Sequence, residues 1–228
     1  MGAMSSEPLA VLWDMDGTVV DTEPYWMDAE TALVESYGGS WTDDDALQLV
    51  GNGLVDSARV LQRYGVRMEA DAIVQRLTDD VASRLRADGV PFRPGARELL
   101  ADLRANGVRT ALVTMSMKRM ALDVVSLIGF TAFDLVLGGD EVPRPKPFPD
   151  PYLRAAELLG VDIADAVVIE DSATGVAAGR ASGAVTLGVP HILPLDGAGA
   201  HELWPSLVGR TTTDIRALHR RLAKEDSR

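Results

Sequence analysis

Five short apolar runs, set apart by segments of helical period, constrain this chain more than any other feature. Leu9–Trp13, Arg109–Val113, Phe133–Leu137, Ala166–Ile169 and Ala184–Gly188 are rich in leucine or β-branched residues and read as strands. They are continuously apolar, the pattern of strands buried on both faces of a parallel sheet. The segments between them read as amphipathic helices. Leu99, Leu100 and Leu103 share a face closed by Asn106-Gly107, a stripe from Met117 to Ile128 stops at Gly129, and Tyr152, Leu153, Ala156 and Leu159 precede Gly160. The expected fold is therefore α/β, a Rossmann-like doubly wound parallel sheet with helices on both faces.

One stretch breaks the alternation. From Thr22 to Gly89 no strand is evident, only helical periods: Trp26, Ala29, Leu33 and Tyr37; then Leu54, Ala58 and Leu61; then Ile73, Val74, Leu77, Val81 and Leu85. A block of that size is too large for an ordinary connection between a strand and a helix. It reads as an inserted all-helical cap, residues 22–89, with residues 1–21 and 90–228 forming the core; Pro91 and Pro94 mark the return. A chain of 228 residues is long enough for both.

In an open parallel sheet, ligands bind beyond the carboxyl ends of the strands. The first strand ends in Asp14-Met15-Asp16-Gly17-Thr18, with Asp21 soon after. Two carboxylates on one tight turn repel each other unless a cation or a proton intervenes. The second strand ends in Thr114, Lys146 lies in the proline-rich segment 143–151, and the fourth strand ends in Glu170-Asp171-Ser172. Each has an ordinary reading alone: a solvated turn, a strand-end hydrogen bond, a surface charge, a helix cap. Together they gather at one edge of the predicted sheet. Carboxylates on two strand ends, with no cysteine in the chain and no histidine cluster, suit a hard cation with oxygen ligands, magnesium by default.

Asp14-Met15-Asp16-Gly17-Thr18-Val19-Val20-Asp21, Thr114, Lys146-Pro147 and Glu170-Asp171-Ser172 together resemble the four motifs of the haloacid dehalogenase superfamily, in order and along nearly the whole chain. The helical block resembles its C1-type cap, as in the β-phosphoglucomutase-like and phosphoglycolate-phosphatase-like groups. The resemblance implies a magnesium-dependent phosphatase acting on a small phosphate monoester, a sugar phosphate or similar metabolite. It implies Asp14 as nucleophile, Asp16 as general acid–base, Thr114 and Lys146 on the phosphoryl oxygens, and Mg2+ held by Asp14, the Asp16 carbonyl, Asp171 and Glu170. It further implies a monomer or weak dimer. Specificity is expected in the cap, with Trp26 and Leu54 facing the substrate. Trp26 stands where the mutase pattern has a histidine; Leu54 stands near that pattern's cap arginine, with Arg59 the nearest replacement.

A phosphosugar mutase is the main alternative, weakened by those two departures. A haloalkanoate dehalogenase needs neither Asp16 nor the Glu170-Asp171 pair. A phosphonatase needs a cap lysine, and residues 22–89 contain none. A non-catalytic phosphate-binding module is disfavoured because every chemical residue is present. The formal net charge of −12 argues against nucleic acid or an anionic membrane surface as partner. The absence of cysteine and of a signal-like layout in MGAMSSEPLA fits a cytoplasmic protein. His191, His201 and His219 show no ligand spacing and read as surface or loop residues. Trp13 and Trp204 read as packing, and the chain from Thr213 to Arg228 reads as a terminal helix with a frayed tail.

Overall fold

Strands that are apolar on both sides must be covered on both sides, and the chain folds accordingly. The structure, a computed structural model, describes residues 10–222. The first nine residues, with Leu9 of the expected first strand, and the tail after Leu222 lie outside the described residues. Six parallel strands form the sheet: β1 (Ala10–Trp13), β2 (Arg109–Val113), β3 (Leu135–Leu137), β4 (Ala166–Glu170), β5 (Val185–Gly188) and β6 (Glu202–Leu203), in the order β3-β2-β1-β4-β5-β6. β1 is central, with Trp13 level with Leu112 of β2 and Ile169 of β4. The chain winds outward from β1 to β3, then returns to start the other half at β4. The β1/β4 boundary is thus the topological switch point, where the crossovers diverge and leave a crevice.

Alternate strand residues feed two apolar layers. Val11 and Trp13 face α5 (Ala96–Ala105), α6 (Lys118–Leu127) and α9 (Thr212–Leu222). Ala10 and Leu12 face the opposite layer, which includes Tyr152 and Ala155 of α7 (Asp150–Leu159) and Ala178 of α8 (Ala173–Ser182). Between β1 and β2 come α1 (Glu23–Ser36), α2 (Asp43–Leu47), α3 (Leu54–Arg63) and α4 (Ala70–Asp88). α4 packs on α1 and α3 and also on α6 of the sheet layer. The first layer's apolar cluster continues without a break into this block, through Leu33, Leu61, Ile73 and Leu77.

Several expectations need adjusting. β3 starts two residues later than Phe133 because the Asp134 carboxylate accepts from the Thr110 N–H, at 2.9 Å, where a backbone carbonyl would serve. β6 and α2 were not expected: two residues and five residues are too short to show a period. α2 forms because Thr42 and Asp45 make a reciprocal capping box. His219 is fully buried on α9, its Nε2 3.0 Å from the Ala164 carbonyl oxygen, and is not a surface residue. His191 pairs with Asp21 at 2.8 Å, and the His201 ring accepts the Thr186 N–H. Trp13 and Trp204 are buried, as packing residues should be. Among the described residues, no helix is long and apolar enough to cross a membrane.

Candidate active site

Parallel strands in register end at a common edge, so the residues just past β1, β2 and β4 are brought together by topology alone. The ladder runs on to this edge: the Asp14 N–H donates to the Ile169 carbonyl and the Thr114 N–H to the Leu137 carbonyl, each at 3.0 Å. After Asp14 the chain makes a tight loop closed by the Gly17 N–H to Val20 carbonyl bond, and Arg93 pins it by donating to the Gly17 carbonyl.

Three carboxylates meet there. One ligand oxygen from each of Asp14, Glu170 and Asp171 lies within 4.8 Å of the others, and all three residues are buried. The Lys146 ammonium is inserted among them, 2.5 Å from Asp14 and 2.6 Å from Glu170, and it also donates to the Val113 carbonyl. The Tyr152 hydroxyl donates to the same Glu170 oxygen at 2.6 Å, and Thr18 donates to Asp171. Three carboxylates against one ammonium leave two negative charges in excess. Burial first, then the Glu170 charge, push the Asp14 carboxyl up to about 8, against the pull of Lys146. Burial and the charges of Asp14 and Glu170 hold Asp171 well above its usual range. Burial alone would lower Lys146, but Asp14 and Glu170 outweigh it and raise it.

This donor set fits a divalent cation. It is all oxygen, it carries the excess charge such an ion would neutralise, and the backbone makes room for it. A Cβ on Gly17 would fall 2.1 Å from an Asp171 oxygen, and one on Gly175 would fall 1.9 Å from the Glu170 carboxyl, so only glycine leaves these carboxylates in place. Asp14 and Asp171, with Glu170 behind them, are the residues that would hold the ion.

Asp16 is set apart from the cluster. Its Oδ1 accepts from the Thr22 hydroxyl at 2.5 Å and the Trp26 indole N–H at 3.2 Å. Its Oδ2 accepts from the Ser116 hydroxyl at 2.7 Å and the Thr114 hydroxyl at 3.2 Å. Trp26 is both packed and polar: nearly buried in the apolar cluster, it also faces the cavity and orients Asp16. Leu54, at the start of α3, lines the same cavity, a tight space of about 80 Å³ between the sheet edge and the helical block. Arg59 does not reach it. That side chain pairs with Asp56 at 2.8 Å and borders a second cavity, of about 630 Å³, which shares Leu54 and Met115 with the first.

The site brings together Asp14, Asp16, Thr114, Lys146, Glu170 and Asp171. Asp21 is not among them, since it turns to His191. Four further participants were not singled out: Thr22, Ser116, Tyr152 and Thr18. Thr18 lies within the first motif and Thr22 directly follows it, and that proximity was the available signal. Tyr152 was legible only as part of an apolar helix stripe.

Residues 8–183 match the family of haloacid dehalogenase-like hydrolases. The chain belongs to that family. A phosphorylated carbohydrates phosphatase of Thermotoga maritima is 33% identical over 194 residues, 81% of this chain and 86% of that protein. A bifunctional riboflavin kinase/FMN phosphatase of Arabidopsis thaliana is 32% identical over 188 residues, which are 80% of this chain and 48% of that protein; the chain spans about half of its length. The fold of β-phosphoglucomutase from Clostridium difficile superposes with a TM-score of 0.81 at 21% identity, covering 94% of this chain and 98% of that one. For a haloacid dehalogenase-like hydrolase, a parallel sheet with its acidic cluster at the switch point is the expected arrangement.

Proposed function

We propose that this hydrolase is a magnesium-dependent phosphatase that cleaves a small phosphate monoester through a phosphoryl-aspartate at Asp14. The observation that carries the reading is the unlike treatment of two aspartates one residue apart. Asp14 sits buried among carboxylates and against Lys146, whereas Asp16 is held by four neutral donors on the rim of the cavity. Two carboxyl groups in unlike surroundings divide the work of nucleophile and acid–base.

In this reading Asp14 attacks phosphorus in line and splits one hard displacement into two easier ones. Asp16 gives a proton to the departing alkoxide, then takes one from the water that opens the phosphoryl-aspartate. Lys146 holds the Asp14 carboxylate and, with Thr114, meets the phosphoryl oxygens. Asp14, the Asp16 carbonyl and Asp171, with Glu170 direct or through water, would hold magnesium, whose charge would offset the repulsion between nucleophile and phosphate. Residues 22–89 act as the cap that covers the site and excludes bulk water. The relatives' names support a phosphorylated carbohydrate or similar small ester as substrate. The same reading takes the protein as cytoplasmic, a monomer or weak dimer, with no nucleic-acid or membrane partner. A mutase must also grip a second phosphate. The only cation lining the cavity among the described residues is Lys146, which is already engaged at the first, so hydrolysis is favoured.

Phosphate release from a panel of monoesters tests this, with magnesium, with chelator and with Asp14→Asn. Release should need the metal and fall by about a thousandfold or more in the variant. Turnover that survives chelation or Asp14→Asn would refute the mechanism. Glucose 6-phosphate accumulating from β-glucose 1-phosphate and a bisphosphate primer, with little free phosphate, would replace it with the mutase.

A further inference from the structure

Helix α1 carries two glutamates where its apolar stripe should run. Glu23, Trp26, Glu30, Leu33 and Val34 follow one another at helical spacing, and all five are buried. In an amphipathic helix such positions belong to leucine or valine. Glu23 is 8% exposed and Glu30 5%, and both line the cavity above Asp14 and Asp16. Among the described residues neither carboxylate has a hydrogen-bond or ion-pair partner, although Asp14, Asp16, Glu170 and Asp171 at the same edge all have theirs. Two carboxylates on nearly buried residues, lining a cavity and without a donor from the protein, are placed to accept from whatever fills that cavity. Both stand on α1, on the side of the cavity formed by the helical block, and in the phosphatase reading that side faces the leaving group.

That wall also lacks any positive charge. Residues 22–89 contain no lysine, Arg59 turns away to Asp56, and Lys146 sits across the cavity between Asp14 and Glu170. A leaving group bearing a carboxylate or a second phosphate would meet two acidic side chains with nothing to offset them. A leaving group bearing hydroxyl or ammonium donors would satisfy both.

We propose that Glu23 and Glu30 are specificity-determining residues that select phosphate esters of donor-rich alcohols, polyols or amino-polyols, and reject esters carrying a second anionic group. This rests on the phosphatase reading above and names the substrate class of the same site. Selection of this kind is steep, because rejecting the wrong ester involves both an unmet donor requirement and direct repulsion.

Matched pairs that differ only at the far end of the alcohol provide the test. Glucitol 6-phosphate and 6-phosphogluconate have the same six-carbon chain, ending in a hydroxymethyl or a carboxylate. Glycerol 3-phosphate and 3-phosphoglycerate make the same contrast over three carbons. With magnesium present and at a pH above about 8, where both glutamates carry their charge, kcat/KM should favour the hydroxyl member of at least one pair by about thirtyfold or more, and Glu30→Gln should shrink that ratio about tenfold by improving the anionic member. Glucosamine 6-phosphate against glucose 6-phosphate separates ammonium from hydroxyl donors. Equal turnover within both pairs, preference for the carboxylate members, or an unchanged ratio in Glu30→Gln would overturn the inference while leaving the phosphatase standing. Turnover of p-nitrophenyl phosphate with both pairs inert would overturn it too. No metal-dependent release from any ester would instead remove the phosphatase reading beneath it. The wild-type ratios do not depend on whether the variant folds.

Discussion

The four donors around Asp16 come from four places: the junction after the first motif, the first turns of α1, the end of β2 and the loop beyond it. Together they fix both carboxylate oxygens on the cavity rim, where the proposed mechanism has a proton delivered and later retrieved. Trp26 is the donor whose packing and polar roles can be separated. Trp26→Phe keeps most of the ring and removes the N–H, so kcat should fall about tenfold, with KM and Tm nearly unchanged. Trp26→Ala should also lose about 3–5 kcal/mol of stability through the cavity it opens. Steady-state kinetics and thermal melts on the two variants separate these effects; full activity in Trp26→Phe would deny the indole any part in orienting Asp16. At this scale the sequence is readable where residues act as a set. Asp14, Asp16, Lys146 and Asp171, each ordinary alone, stand out because they gather at one edge of the predicted sheet. Thr22, Ser116 and Tyr152 do not, because a hydroxyl at a junction or on a helix is ordinary until its partner is known, and the partners lie 6, 100 and 18 residues away.

Helix α1 shows what a periodic element both reveals and conceals. Its stripe at Trp26, Ala29 and Leu33 gave the helix away, yet nothing in the sequence marks Glu23 and Glu30 as buried on the same face. That burial has a cost, which should be measurable. Burial first, then the charge of Glu23, raise Glu30 from 4.5 to about 8. The folded protein therefore keeps a proton that the unfolded chain releases, and stability falls as pH rises between those values. The penalty is absent below the lower value and complete above the upper one, on the order of a few kcal/mol. Glu30→Gln removes it. The variant should melt roughly 5 °C above wild type near pH 8.5 and show almost no gain near pH 4.5, as read by calorimetry at both pH values. An equal gain at both would mean that Glu30 is not carrying an unfavourable charge. Glu23, raised to about 7 by burial and then by Asp16 and Asp21, should follow the same sign over a narrower window. The shortest elements, α2 and β6, escaped reading for the opposite reason: too few residues to establish any period.

At the level of the whole molecule, the alternation of strands and helices made the doubly wound sheet legible, and the strand ends pointed to the edge where the acidic cluster gathers. Strand order was not legible, because which side of β1 each later strand joins depends on packing that single residues do not encode. The helical character of residues 22–89 was legible, but not the way those helices sit. Their apolar cluster runs unbroken into the layer of α5, α6 and α9, and the α4–α6 seam is further tied by Arg86 to Asp123 at 2.7 Å and Arg119 to Asp79 at 2.5 Å. These exposed ion pairs contribute at most about 1 kcal/mol each, so the shared apolar layer must carry the coupling. A block joined in this way should unfold together with the sheet. The four tryptophans make that testable, since Trp26 and Trp41 report on the helical block and Trp13 and Trp204 on the sheet layers, all of them buried. Variants with one pair replaced by phenylalanine should give urea transitions whose fluorescence midpoints coincide with each other and with circular dichroism, the signature of one cooperative unit. Loss of the Trp26 and Trp41 signal at lower urea, ahead of the sheet, would show a cap that folds by its own contacts and sits on the core as a separable lid.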